Sequence, residues 1–231
     1  MRASEPAGGL IARLLRIEAL PTIDATLSGE GRMDSWHGHL AVALNQHQTV
    51  TGRLDLTRDD KNRHLALALD GVLAEILPPG MRDVFAGSLH VKGTAALAED
   101  FTPLGGRLDM TSDAVSFNAN GNFDRSSGRL STDLEATLLR PAHWSEGNAR
   151  ISANALDLTA TASGILSDAQ WNTSLTAAGV STADGRLDTL SLKAGGDNAD
   201  FGAETLNVPV TLEATADVGA LAASKRLPPQ S

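Results

Sequence analysis

The sequence predicts an all-β, mainly antiparallel protein: an elongated, curved β-groove or taco-like meander with one or two short helices. Three observations predict it. Apolar residues recur at every second position in run after run. Clusters of Asp, Asn, Ser and Gly separate the runs at roughly 10–12 residue intervals. The apolar content, 42% of 231 residues, comes mostly from Leu, Ala and Val, with five Phe, three Trp and no Tyr. A dense core draws much of its buried area from aromatics. Many small aliphatics spread along the chain suit an extended face instead.

The elements follow in order. Gly8 to Ile17 places Leu10, Leu14 and Ile17 on one stripe and reads as a short helix. Leu40, Val42 and Leu44 alternate with Ala41, Ala43 and Asn45, and Leu54 and Leu56 with Arg53, Asp55 and Thr57. Leu65, Leu67 and Leu69 alternate with Ala66, Ala68 and Asp70. Each run has one apolar and one polar or small face, the pattern of a strand. Gly71 to Ala86 interrupts it: Val72–Leu77 reads as one or two helical turns stopped by Pro78-Pro79, and Met81–Phe85 as another. Alternation resumes at Val115, Phe117 and Ala119, then in Ile151–Thr159, Leu187–Leu192 and Val208–Leu212. Arg58–Asn62 and Asp124–Gly128 carry turn residues, and Asp184-Gly185 is the tight-hairpin dipeptide.

A long internal repeat overlies this pattern. Ser28-Gly29 precedes Trp36 and Leu40, and Ser163-Gly164 precedes Trp171 and Leu175 at the same spacing. Each is followed by Gly-Arg-Leu-Asp, at Gly52–Asp55 and Gly185–Asp188. Trp36 and Trp171 stand 135 residues apart, Gly52 and Gly185 133. Repeat architectures stack units that cannot close a core alone. The repeat divides the chain into a short N-terminal helix or linker (1–19), a first β-unit (20–140), a second, partial unit (141–223) and a disordered tail (224–231).

Composition narrows function. The chain has no cysteine, hence no disulfide framework, no Cys-ligated zinc and no thiol nucleophile. Net charge is −9 without a basic stripe to replace phosphate counterions, which disfavours nucleic acid. No segment approaches the ~20 apolar residues of a membrane helix. The apolar run Gly8–Ala12 is broken by Arg13 and Arg16, so Met1–Leu20 is not read as a secretory signal.

No catalytic constellation emerges, and no enzyme, cofactor or small-molecule substrate is expected. Phosphate loops, dinucleotide fingerprints and nucleophile elbows are missing. Asp59-Asp60 and Glu99-Asp100 are loop acids rather than a spaced pair. His37 and His39 share the strand face opposite Leu40 and Val42, with His47 nearby, and read as a solvated polar face rather than a metal site. Gly195–Phe201 looks like a single calcium-binding nonapeptide, but that architecture needs a tandem array, so it reads as a turn. Trp36, Trp144 and Trp171 read as packing anchors at strand starts, with Gly29, Gly31 and Gly38 allowing bends or bulges beside Trp36.

The candidate functional residues are those of the apolar alternation: Leu40, Val42, Leu44, Leu54, Leu56, Leu65, Leu67, Leu69, Val115 and Phe117. On one side of a curled meander they would line an apolar trough. The same pattern also fits two sheets packed in a sandwich or a closed barrel.

Several stretches resemble the repeat unit of the TamB (translocation and assembly module) family and its AsmA-like relatives. They are Leu20-Pro21, Leu27–Gly31 with Trp36–Leu40, the later unit around Trp171, Leu77-Pro78-Pro79 with Gly87-Ser88-Leu89, and Ala119–Asp124 with Gly128-Arg129-Leu130. The resemblance runs from about Leu10 to Leu221. It implies a periplasmic, inner-membrane-anchored bridge whose β-groove carries phospholipid or another apolar client. It also implies an Omp85-type outer-membrane barrel partner and a role in autotransporter secretion and outer-membrane assembly. The family's N-terminal anchor and C-terminal domain have no counterpart in these residues, so the chain reads as an interior fragment without signal or anchor. The alternative expectation is an extracellular or cell-surface structural β-repeat, adhesin- or passenger-like.

Overall fold

The computed structural model describes residues 2–5, 22–32, 34–44, 47–59, 61–72, 82, 85, 87–146, 149–183, 185–200, 210–218 and 220–221. The described strands are β1 (Arg2–Glu5), β2 (Ile23–Arg32), β3 (Ser35–Leu44), β4 (His47–Arg58), β5 (Arg63–Val72) and β6 (Ser88–Leu97). They continue as β7 (Pro103–Thr111), β8 (Val115–Asp124), β9 (Arg129–Leu138), β10 (Ala142–Glu146) and β11 (Ala149–Ala153). The last are β12 (Ala155–Ile165), β13 (Asp168–Ser181), β14 (Gly185–Ala199), β15 (Thr211–Asp217) and β16 (Ala220–Leu221). All belong to one antiparallel sheet that stays open.

From β1 to β9 each strand pairs with the next in sequence, as a meander does. β9 then pairs with β12, β12 with β13, β13 with β14 and β14 with β15. At ~4.8 Å per strand this row spans roughly 55–60 Å. The sheet crosses the expected unit boundary at 140/141 without a break, since β9 and β12 pair from Thr137↔Asp157 to Arg129↔Ile165. Within the stretch 1–19, Arg2–Glu5 form a strand against Ile23–Thr26. The helix expected over Gly8–Ile17 and the tail 224–231 lie outside the described residues. So do the helical turns expected within Gly71–Ala86, except that Gly71 and Val72 are described as the last residues of β5 rather than the start of a helical turn, and Arg82 and Phe85 are described singly. Among the described residues there is no helix.

The strand ends at one rim are tied turn to turn. Arg58 N–H donates to the Asp34 carbonyl at 3.0 Å, linking the β2–β3 and β4–β5 turns. Arg58 also pairs with Glu99, and Arg125 Nη1 donates to both Asp100 carboxylate oxygens at 3.0 and 3.1 Å. The Arg63 guanidinium lies 4.7 Å from the Phe101 ring centroid. Leu166 N–H donates to the Gly128 carbonyl at 2.9 Å, adding the β12–β13 turn to the series. Single exposed ion pairs stabilise little, but here they join neighbouring hairpins that already share a ladder.

The opposite rim carries a hairpin that leaves the main row. β10 and β11 pair from Ala142↔Ala153 to Glu146↔Ala149, and β11 touches β13 at Ser152↔Ser181. Ala142, Ala153 and Leu138 are buried together, with Trp144, Val115, Leu156, Val180 and Phe85 packed around them.

Four sequence expectations are corrected. The run Ile151–Thr159 is two strands, broken at Asn154, whose N–H donates to the Ala178 carbonyl. Gly195–Asp200 is no turn: β14 continues to Ala199 because β13 extends alongside it, and a register shift between Ala169 and Trp171 takes up the extra residue. Gly185 belongs to the strand rather than to the turn: it opens β14, and Thr182 N–H donates to its carbonyl in continuation of the Ser181↔Arg186 register. Gly29 and Gly38 form no bulge; they face each other in a regular register.

A candidate groove on the apolar face

Cross-strand register decides which side chains share a face, because alternate residues point to opposite sides. Starting at Leu27, the partners run Leu40, Gly52, Leu69, Val91 and Met110. They continue through Phe117, Ala136, Leu158, Leu175, Leu192 and Ala214. Every member of this row from β2 to β15 is apolar or glycine. Two rows away on the same face, a row runs from Trp36 through Leu56, Leu65, Ala95, Gly106, Gly121, Thr132 and Ala162 to Trp171. The two tryptophans of the sequence repeat therefore stand in one row of one face.

The ten residues expected to line the trough are placed as follows. Leu40, Val42, Leu54, Leu56, Leu65, Leu67, Leu69, Val115 and Phe117 all share this face. Leu44 stands opposite Ile23 at the end of β3, and its side chain lies outside the described residues. The expectation stopped short of Leu27, Val91, Leu108, Met110, Leu134, Leu158, Leu175 and Leu192, which the same register adds. Their strands are interleaved with Thr, Gly and Ala, which blunts the alternation in the sequence.

The other face is polar. It carries His37 with Asp55 (2.6 Å), His90 with Asp70 (2.6 Å), and Arg107 with Asp109 (2.7 Å). Arg107 beside Asp109 holds that carboxyl below the usual carboxylate range. Among the described residues no three His, Asp or Glu side chains gather as a metal-binding group.

The apolar face is the more sheltered. Along β5, Leu65, Leu67 and Leu69 are half-buried, whereas the alanines between them, Ala66 and Ala68, are exposed. The described strands form one sheet, so the leucines are shielded by one another, as on the inside of a bend. A hollow of about 630 Å³ on this face touches β6, β7, β8, β9, β12 and β13, lined by Gly106, Leu108, Ala119, Gly121, Ala160 and Trp171 among others. Six adjacent strands would spread over about 24 Å if flat, so a shared hollow requires the sheet to curl around it. A smaller hollow of about 460 Å³ lies among Thr161, Asn172, Lys193 and Glu213 on the polar face. Hollows on both faces follow from the twist and coiling of a long sheet.

Glycines shape the floor of the trough. The Trp36 indole lies across Gly29 and Gly38, where a β-carbon on either would overlap the ring. Gly52 similarly makes room for the Leu69 side chain. Gly121 is different: a β-carbon there would meet only Thr132 Cγ2 at 3.5 Å and the Ser131 carbonyl at 3.9 Å, so its space belongs to the hollow. The face has no charged anchor in its Leu27–Ala214 row. It can hold apolar chain by contact alone, without fixing it at one position. Compared with protein-family models, curated proteins and solved structures, the chain matches none of them.

Proposed function

We propose that the chain is a non-enzymatic segment of a TamB-like periplasmic bridge. Its groove shields phospholipid acyl chains, or an apolar stretch of polypeptide, on the way to outer-membrane assembly and autotransporter secretion. The observation that carries this reading is the uninterrupted apolar row from Leu27 to Ala214 on an open sheet. A contiguous apolar surface of this length, left open, marks an interaction surface. The periplasmic setting, the inner-membrane anchor and the Omp85-type barrel partner come from the family resemblance of the stretches named above, the Trp36 and Trp171 units among them.

Burial of each CH₂ is favourable by about 0.8 kcal/mol. Successive positions along the row offer similar aliphatic contacts, so a bound chain exchanges one set for the next at little net change. The 630 Å³ hollow between Leu108 and Trp171 deepens the path midway and would be a resting place on it. Head groups would remain in water at the rims.

Lipid extraction of the purified chain followed by mass spectrometry tests the reading. Photoreactive residues at Val42 or Leu67 should crosslink to lipid, and one at Ala68, on the opposite face, should not. Absence of lipid together with absence of crosslinks from both groove positions would sink the proposal. It would also favour the structural β-repeat alternative.

A further inference from the structure

The edge strand β15 is complementary to itself. Among the described residues, β14 is the strand that β15 pairs, and all seven residues Thr211–Asp217 are exposed. A sheet edge presents backbone N–H and C=O groups as a template for another strand. Leu212 and Val210, at 65% and 63% exposure, are the two most exposed large apolar residues among those described, and Val218 is 49% exposed. Register to β14 puts Leu212, Ala214 and Ala216 on the apolar face, with Val210 and Val218 in the same alternation. Thr211, Glu213, Thr215 and Asp217 alternate onto the polar face.

Consider two copies side by side, antiparallel, with a two-fold axis through Ala214. Val210 then faces Val218, and Leu212 faces Ala216. On the other side Glu213 faces Thr215, and Thr211 faces Asp217. Apolar meets apolar, and each carboxylate meets a hydroxyl, the favourable cross-strand combinations. Sliding two residues one way sets Glu213 against Glu213. Sliding two residues the other way sets Glu213 against Asp217. A one-residue slide puts the apolar side against the polar side. Of these registers, the Ala214-centred one is the one that satisfies both charge and polarity, and it overlaps the whole of Thr211–Asp217.

We propose that a second copy of this chain docks edge to edge on β15 in that register, joining two sheets with their apolar faces on the same side. The occupant is a second copy, rather than an unrelated strand, because the pattern is complementary to its own reverse. This inference does not depend on what the groove carries.

The full chain contains no cysteine, so one introduced thiol reports one position. In Ala214→Cys the two thiols meet at the axis, within disulfide reach. In Thr211→Cys they lie about 20 Å apart, six residues of strand. Sedimentation from low micromolar to near-millimolar concentration should give a monomer–dimer equilibrium. Air oxidation should give a covalent dimer for Ala214→Cys and not for Thr211→Cys. Ala214→Lys, which sets two cations on the axis, should lose the dimer while its far-UV circular dichroism stays that of the parent. If that variant unfolds, the comparison of the two cysteine variants still decides. Monomer at every concentration, equal crosslinking at both positions, or growth beyond the dimer would each overturn the proposal.

Discussion

The Trp36 indole occupies the space over Gly38, and the same ring covers Gly29 directly across the hairpin. Two glycines facing each other in adjacent strands are unfavourable for a sheet, which loses backbone entropy and side-chain packing there. The ring fills the space they leave. Gly38→Ala would push a methyl into the indole and lift the ring off the floor. The expected loss of stability is about 1–3 kcal/mol, the range for overpacking a filled site. Urea denaturation followed by tryptophan emission measures it, and an unchanged midpoint would mean that the ring does not rest on Gly38.

Gly121 predicts the opposite sign. A methyl there meets neighbours at ordinary contact distances, and its backbone is in the normal strand region, since its φ is not among the positive ones. Gly121→Ala should therefore raise stability by about 0.5–1 kcal/mol by removing unfolded-state freedom. Gly121→Leu should fill the 630 Å³ hollow and weaken capture of a fluorescent fatty-acid analogue severalfold, with Thr159→Leu, exposed on the other face and not lining that hollow, as control. Equal capture by both variants would place the bound probe elsewhere.

Much of the sheet was legible from alternation alone. Strands β3, β4, β5 and β8 each contain a run in which Leu, Val or Phe recurs at alternate positions, and their partners follow from short turns. The apolar face was legible only in part. In β12 and β13 the groove positions are filled by Ala160, Ala162 and Thr173, which local sequence does not distinguish from the outward-facing Thr159 and Thr161. Their facing comes from cross-strand register, a non-local property. The β10–β11 hairpin was missed for a similar reason. The run Ile151–Thr159 reads locally as one apolar stretch, but Ile151 and Leu158, seven residues apart, fall on opposite phases of a two-residue period, and the phase changes at the break at Asn154, held by a bond to the distant Ala178 carbonyl. The repeat also diverges in geometry: Gly29 pairs with Gly38, whereas Gly164 pairs with Ala169 beside the turn.

Acid should weaken the fold through its turns. Asp124 accepts hydrogen bonds from Ser127 Oγ (2.6 Å), Ser126 Oγ (2.7 Å) and Ser126 N–H (2.9 Å). The Ser127 and Ser126 hydroxyls, with the backbone amides, lower its pKa from 3.8 to about 2. Asp59 falls likewise to about 2, through His64 first and then the Lys61 and Asn62 amides. A carboxylate whose folded pKa lies below its unfolded value stabilises the fold above the unfolded value and loses that contribution as pH falls through the folded one. The window is therefore from about pH 4 down to about pH 2, and neutral pH lies on the plateau. Asp124→Asn should lower the urea midpoint at pH 7 and show a shallower decline between pH 4 and 2. Parallel curves for parent and variant across that range would remove Asp124 from the account.

Leu138 holds the off-row hairpin to the rest of the molecule. It is 8% exposed and packs with Ala142 and Ala153, at 1% and 3%. Its neighbour Leu139 is 52% exposed. Leu138→Ala removes three carbons from a site whose other buried members, Ala142 and Ala153, are too short to close over the gap. A loss of about 2–5 kcal/mol is expected for such a truncation, and the lower end applies because Trp144 and Val180 are only partly buried. Leu139→Ala should stay within about 0.5 kcal/mol. The discriminating measurement is hydrogen exchange. In Leu138→Ala, amides of β10 and β11 should exchange faster under conditions where those of β4 and β5 keep their protection, because the main row is joined by its own ladder. Uniform acceleration across all strands would mean that the hairpin and the sheet open as one unit, and that Leu138 serves the whole sheet rather than the hairpin.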